Sequence, residues 1–220
     1  MLWQILDPDF AAFGGALPDI EGCAVSLCRV VDHRESLLGV EQEEIGSMVE
    51  KRQFGFSSGR RCAHLVQAQL GLEPQAVGRQ DRMPIWPKPG VGSITHSDEV
   101  AAAIASLRHR GVGIDIEQTD RVDEKLYRIL FTQAEQQNLN AYGFDAATVI
   151  LSAKEAGYKS IFPIGRKFIG FQDAEIILNP ENCSFTISYL GDHHPNEALN
   201  EGVGYWCEAH GHVLTVFVIP

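Results

Sequence analysis

A chain of 220 residues with 45% apolar side chains is long enough for one large domain or two small ones around a real core. A formal charge of −11 excludes a general nucleic-acid binder, because gripping phosphate backbones requires a basic surface that releases counterions. No stretch reaches membrane-spanning length, Met1 to Phe10 lacks the basic start and apolar run of a secretion signal, and the five cysteines (Cys23, Cys28, Cys62, Cys183, Cys207) include no C-x-x-C pair. The expectation is a cytoplasmic, monomeric protein with reduced, mostly buried thiols and no membrane or nucleic-acid partner.

The first half opens with an apolar run, Cys23 to Val31, that predicts a strand, followed by an acidic helical stretch from Glu41 to Lys51. A helix rich in Ala, Leu and Gln is expected around Gly59 to Leu70, stopped by Gly71 and Pro74. A loop with Pro84, Pro87, Pro89 and Gly90 leads into Ser93 to Ser97 and the apolar run Val100 to Ser106. The second half opens with a strand, Val112 to Glu117. Thr132 with Glu135 three residues later makes a capping box, and a second helix is expected from Thr148 to Phe162, ending before Pro163. Phe168 to Leu178, Ser184 to Leu190, Tyr205 to Ala209 and Val213 to Ile219 have the β-branched and aromatic content of strands, the last two forming a hairpin across His210-Gly211-His212.

Each half therefore runs strand, acidic helix, longer helix, strands. This predicts an α/β (α+β) protein with a pseudo-twofold plan, two similar halves of residues 1–111 and 112–220, each with a small antiparallel sheet and a long helix. Ligands of such proteins often lie in the crevice between halves. That would bring Arg52, Arg60 and His96 toward Asp115 and Glu155.

Two acidic clusters carry the chemistry. Side chains two apart in a strand point the same way, so Asp115 and Glu117 share a face while Ile114 and Ile116 enter the core; in a helix, Glu155 and Lys159 share a face. Three carboxylates and an ammonium can hold a hard cation against a phosphate ester. The same spacing also describes a solvent-facing strand edge and an ordinary helix ion pair worth roughly 0.2–0.5 kcal/mol. Against the acidic background, Lys51, Arg52, Arg60 and Arg61 crowd into eleven residues, with Arg79 and Arg82 following. Such a patch suits a compact anion, and equally a solvated helix face balanced by Glu41, Glu43, Glu44 and Glu50.

Gly113-Ile114-Asp115-Ile116-Glu117 and Ser152-Ala153-Lys154-Glu155-Ala156-Gly157-Tyr158-Lys159 resemble the paired signatures of the 4'-phosphopantetheinyl transferases. Three further stretches resemble the Sfp-type, EntD-like subgroup in the same order: Lys51-Arg52 with Phe56-x-x-Gly59-Arg60-x-x-Ala63, then Pro84-x-Trp86-Pro87, then Gly92-Ser93-Ile94-Thr95-His96-Ser97. The five motifs cover residues 51 to 159. The resemblance implies an enzyme that moves the phosphopantetheine arm of coenzyme A onto a serine of an apo acyl or peptidyl carrier protein, leaving adenosine 3',5'-bisphosphate. It implies Mg²⁺ on Asp115, Glu117 and Glu155, with Asp115 also contacting coenzyme A. Glu155 would take the serine proton, directly or through water, and Lys159 would neutralise the pyrophosphate and assist the leaving group. Arg52 and Arg60 would grip the 3'-phosphate, Arg79 or Arg82 would fill a further basic position, and Thr95 and His96 would touch the coenzyme phosphates. The segment after Glu117, with Arg121, Lys125, Leu126, Tyr127, Leu130 and Phe131, is the candidate carrier-docking surface.

Leu151 and Gly55 depart from the family pattern, where an aromatic and an acidic residue are usual. Two other readings come from the residues themselves. Gly55-Phe56-Ser57-Ser58-Gly59 is a literal G-x-S-x-G match that would make Ser57 a hydrolase nucleophile, but Glu50 to Gln53 is a poor buried strand to precede it. A non-enzymatic coenzyme A-binding module would need the arginines and His96 but not Glu155. His193-His194 and His210-x-His212 lack a nearby Cys or Glu to complete a zinc site.

Overall fold

Small and β-branched side chains build each sheet, and glycines decide how closely a long helix lies on it. The computed structural model describes residues 1–80 and 83–220, Ser47 by its backbone only. The chain divides into two compact units, Met1–His109 and Arg110–Pro220.

In the first unit the strand order is β1 (Leu2–Ile5), β2 (Cys23–Arg29), β6 (Val100–Ser106), β5 (Val91–His96). β1 runs parallel to β2, and the other pairs are antiparallel. A purely antiparallel sheet was expected, and β1 is too short to show a period in the sequence. The long helix α2 (Glu50–Gln69) starts well before the predicted Gly59, after α1 (Val40–Glu44) and a 3₁₀ turn, Ile45–Ser47. It packs on Ala24, Cys28, Ala101, Ala103 and Ala105, whose small side chains admit a close helix. A Cβ on Gly55 would stand 2.8 Å from the His96 ring, and one on Gly59 would stand 2.7 Å from Ile94. Two interior glycines lower helix propensity by roughly 1 kcal/mol each, and this contact is what they allow. Short strands β3 (Gly78–Gln80) and β4 (Met83–Ile85) pair antiparallel beside this layer.

The second unit is a five-stranded antiparallel sheet in the order β7 (Gly111–Gln118), β11 (His212–Ile219), β10 (Val203–Ala209), β9 (Ser184–Tyr189), β8 (Ala174–Asn179). Ala209 pairs with His212, and His210 and Gly211 between them both have positive φ, as a tight two-residue hairpin requires. The capping box forms: Thr132 and Glu135 each accept from the other's backbone at the start of α4 (Gln133–Asn138), which follows the single turn α3 (Tyr127–Leu130). The long helix α5 (Ala146–Gly165) is capped by Asp145 and runs through Pro163, which falls in its last turn, before Arg166 turns left-handed. Residues 168–173, expected as strand, are irregular. Here side chains replace a ladder: Lys154 Nζ donates to the Leu130 and Phe171 carbonyls and pairs with buried Glu135 at 2.7 Å, while Gln172 Nε2 donates to the Phe131 carbonyl.

Both units are small sheets under one long helix, the expected α/β class. The cysteines are all free thiols, with Cys183 exposed and the other four buried. No helix among the described residues is long and apolar enough to cross a membrane.

The tightest packing is α5 on β7. A Cβ at Gly113 would overlap the Ala156 carbonyl oxygen, and one at Gly111 the Ser160 carbonyl oxygen, so here backbone meets backbone. Gly113→Ala should lower unfolding stability in urea by about 1–3 kcal/mol through overpacking. An unchanged denaturation midpoint would mean that β7 and α5 do not meet in this way.

Candidate active site

The two-residue period of β7 puts Asp115 and Glu117 on one side, while Ile114 and Ile116 are buried on the other. Asp115 is 4% exposed and held on both oxygens. Ser152 Oγ donates to Oδ2 at 2.8 Å, and Lys159 Nζ to Oδ1 at 2.6 Å. Lys159 also donates to the Ile114 carbonyl at 3.3 Å. Thr215, directly across from Asp115 on β11, donates to the Ser152 carbonyl at 3.0 Å and shares a 2.9 Å hydroxyl contact with Ser152. Ser152, Glu155 and Lys159 lie three and four apart on α5, so one helix stripe delivers all three.

Glu155 accepts no hydrogen bond among the described residues. Burial raises its proton affinity, Lys159 opposes that, and the Asp115 charge adds to it. Glu117 is raised first by burial and then by Asp115, while Arg121 at 3.5 Å works the other way. Three partly or fully buried carboxyls therefore share one electrostatic neighbourhood. Among the described residues, no three acidic, histidine or cysteine side chains are gathered into ready metal-holding geometry. Asp115 is engaged by Ser152 and Lys159, and Glu117 leans toward Arg121. The donor set still fits a hard cation such as Mg²⁺: it is all oxygen, a carboxylate offers about four lone-pair sites, and Mg²⁺ takes few protein ligands while keeping water and phosphate oxygens.

The basic residues of the first unit surround a pocket of ≈180 Å³ that includes Arg52, Phe56 and Arg60 of α2, Arg79 of β3 and His96 of β5. Arg60 is 6% exposed, its guanidinium lies 4.4 Å from the Phe56 ring centre, and its Nε has no hydrogen-bond partner. Burial pulls Arg60 below its ordinary value, with Glu41 and Glu44 opposing and Arg79 adding repulsion. A second cavity of ≈320 Å³ shares Arg52, Gly55 and His96 and is walled by Val30, Val49 and Phe54. Gly55, out of pattern in the sequence, leaves room for the His96 ring.

Thr95 is buried and, one residue from His96 on the same strand, faces the opposite side of its sheet. Arg82 lies outside the described residues. Ser57 sits inside α2, fully buried, with its hydroxyl donating to the Phe54 carbonyl and accepting from the His33 N–H, which is not the strand-to-helix turn of a hydrolase nucleophile. Phe131 is fully buried, so it leaves the candidate docking surface, whereas Leu126 is 44% exposed and neighbouring Ile129 is 62% exposed. Three contributors escaped sequence reasoning. Ser152 lay inside a motif without a role, Thr215 carries no local signal, and Glu41, which charge alone reads as solvated, is 0% exposed.

Residues 40–106 match the model of the 4'-phosphopantetheinyl transferase N-terminal domain, and residues 111–216 match that of the 4'-phosphopantetheinyl transferase superfamily. The chain is 34% identical to the 4'-phosphopantetheinyl transferase Npt of Nocardia iowensis over 211 residues, covering 87% of this chain and 94% of that one. It is 30% identical to the transferase PptT of Mycobacterium tuberculosis over 189 residues, 80% of this chain and 82% of the relative. Enterobactin synthase component D of Escherichia coli is 29% identical over 150 residues, 63% of this chain and 72% of its own.

Proposed function

The chain belongs to the 4'-phosphopantetheinyl transferase superfamily, and on that premise we propose that it transfers the 4'-phosphopantetheine arm of coenzyme A to a serine hydroxyl of an apo carrier protein, with Mg²⁺, releasing adenosine 3',5'-bisphosphate. One observation carries the assignment of roles: buried Asp115 is clamped between Ser152 and Lys159, while Glu155 on the same helix stripe is left without a donor. Asp115, Glu117 and Glu155 would hold the metal. Bound there, Mg²⁺ would supply positive charge to the pyrophosphate and polarise the phosphorus.

The chain's own residues do the rest. Lys159 is aimed by Asp115, so it can neutralise the pyrophosphate and favour departure of the bisphosphate. Glu155, raised by burial, accepts the serine proton as the new phosphorus–oxygen bond forms and the bond to the leaving phosphate breaks. Arg52, Arg60 and Arg79 bind the 3'-phosphate, where guanidinium forks suit a dianion, and His96 contacts the coenzyme phosphates. The first unit thus supplies coenzyme recognition, and the second supplies metal and proton chemistry.

Intact mass spectrometry of apo carriers mixed with coenzyme A, Mg²⁺ and the protein should show addition of one phosphopantetheine, and chelation of the metal should stop it. Glu155→Gln should cut turnover by about 100-fold or more while coenzyme A affinity stays near wild type. Unimpaired turnover in that variant would remove Glu155 from the chemistry.

The carrier surface centres on exposed Leu126 and Ile129, flanked by exposed Lys125 and Arg128. Lys125 and Arg128, beside Asp123 and Glu124, leave this patch near neutral rather than acidic, so that an acidic carrier meets less repulsion here. Ile129→Asp should raise the Michaelis constant for the carrier by roughly tenfold or more, since a central apolar anchor is worth over ~1 kcal/mol. Coenzyme A affinity should not move. Steady-state kinetics with carrier varied decides it, and an unchanged constant discards this surface.

A further inference from the structure

Residues 75–79 lead into β3 without a neighbouring strand on one side, yet their backbone is fully specified there. Successive N–H groups of an extended chain alternate in direction, so those of Gln75, Val77 and Arg79 point the same way. Each meets a side-chain oxygen: Gln75 donates to Gln67 Oε1 at 2.9 Å, Val77 to Glu41 Oε1 at 2.7 Å, and Arg79 to Glu44 Oε1 at 2.8 Å. Gln67 also returns a bond from Nε2 to the Gln75 carbonyl at 3.0 Å.

Glu41 is the hub of this arrangement. It accepts from the Leu38 N–H at 2.9 Å, contacts His64 Nε2 at 3.0 Å, and lies 3.7 Å from Arg60 Nε. Arg60, His64 and Gln67 are four and three apart, so they form one stripe of α2 facing α1 and the 75–79 segment. A one-residue slip of that segment would turn Arg79 to the other side.

We propose that Glu41 and Glu44 are positioning residues for the basic pocket: by fixing the register of 75–79 against α2, they set where the Arg60 and Arg79 guanidinium groups stand for a phosphate monoester. This role rests on the reading that the pocket takes the 3'-phosphate of coenzyme A. Neither carboxylate touches the ligand. Their own charge opposes an incoming dianion, so placement and bulk electrostatics predict opposite signs. Removing a negative charge beside the pocket would by itself tighten anion binding. Losing the placement weakens it.

Isothermal titration of the full chain with coenzyme A and with 3'-dephospho-coenzyme A separates these effects. Glu44→Ala should weaken coenzyme A binding about three- to tenfold, the worth of a lost ordering hydrogen bond, and leave 3'-dephospho-coenzyme A within about twofold. Glu44→Gln, which keeps an acceptor oxygen but no charge, should restore most of the preference. Glu41→Gln, which turns a donor toward one of its N–H partners, should behave like Glu44→Ala. Glu44 is only half-buried, so its variants keep the test decisive should Glu41→Gln fail to fold. Tighter or unchanged coenzyme A binding in Glu44→Ala, or equal weakening toward both ligands, overturns the positioning role. A wild-type protein that binds the two ligands equally overturns the 3'-phosphate reading itself, and the role with it.

Discussion

The contact on which the second unit depends is backbone against backbone, the carbonyls of α5 lying on the glycines of β7. Any side chain at 111 or 113 would occupy the space taken by the Ser160 or Ala156 carbonyl oxygens. That approach is close enough for Ser152, a short side chain, to reach Asp115 directly, and for Lys159 to bend back onto the same carboxylate. Were the helix to ride higher on ordinary side chains, a serine could not span the gap. The Gly113-to-Glu117 motif thus reads as two devices in one: glycines that lower the helix, and acids that the lowered helix then meets.

The first unit reaches its pocket by the same route with different residues. Gly55 and Gly59 let α2 settle onto β5 beside His96 and Ile94, and the helix positions just beyond them, Phe56 and Arg60, form the pocket wall. In each unit the long helix carries charged residues of the candidate site and is docked through glycine. Interior glycines cost helix stability, and here the sheet contact offsets that loss.

Much of this was legible in the sequence, because period and punctuation are local signals. The strands β2, β6, β7 and β11, the capping box at Thr132 and the hairpin at His210-Gly211 all follow from patterns within a few residues. Where tertiary contact overrides local preference, the sequence misleads. Gly59 looks like the start of a helix and, with Gly55, is helix interior; residues 168–173 look like strand, but the Phe171 carbonyl is claimed by Lys154 and the Gln172 side chain reaches away to the Phe131 carbonyl. Asp115, Glu155 and Lys159 could be singled out by spacing, whereas Thr215 could not, since its partner lies sixty-three residues away. Glu41 was hidden differently. Its neighbours Gln42 and Glu43 are exposed, and one carboxylate in an acidic run carries no mark that it faces inward.

A net charge of −11 also says little about binding anions. At physiological ionic strength the Debye length is about 8 Å, so exposed acids farther than that from a pocket are largely screened, while buried charges act at close range with little attenuation. The cations of the candidate site accordingly stand close to acids: Lys159 sits on Asp115, Arg60 lies 3.7 Å from Glu41, and the backbone N–H of Arg79 is held by Glu44. Each acid weakens the attraction for phosphate somewhat and in return fixes either a cation or the backbone that carries one. Bringing several cations together with no counter-charge would leave them repelling one another before substrate arrived, and long side chains would relieve that by swinging into solvent. Buried carboxylates prevent this, so an acidic protein can present an ordered basic pocket.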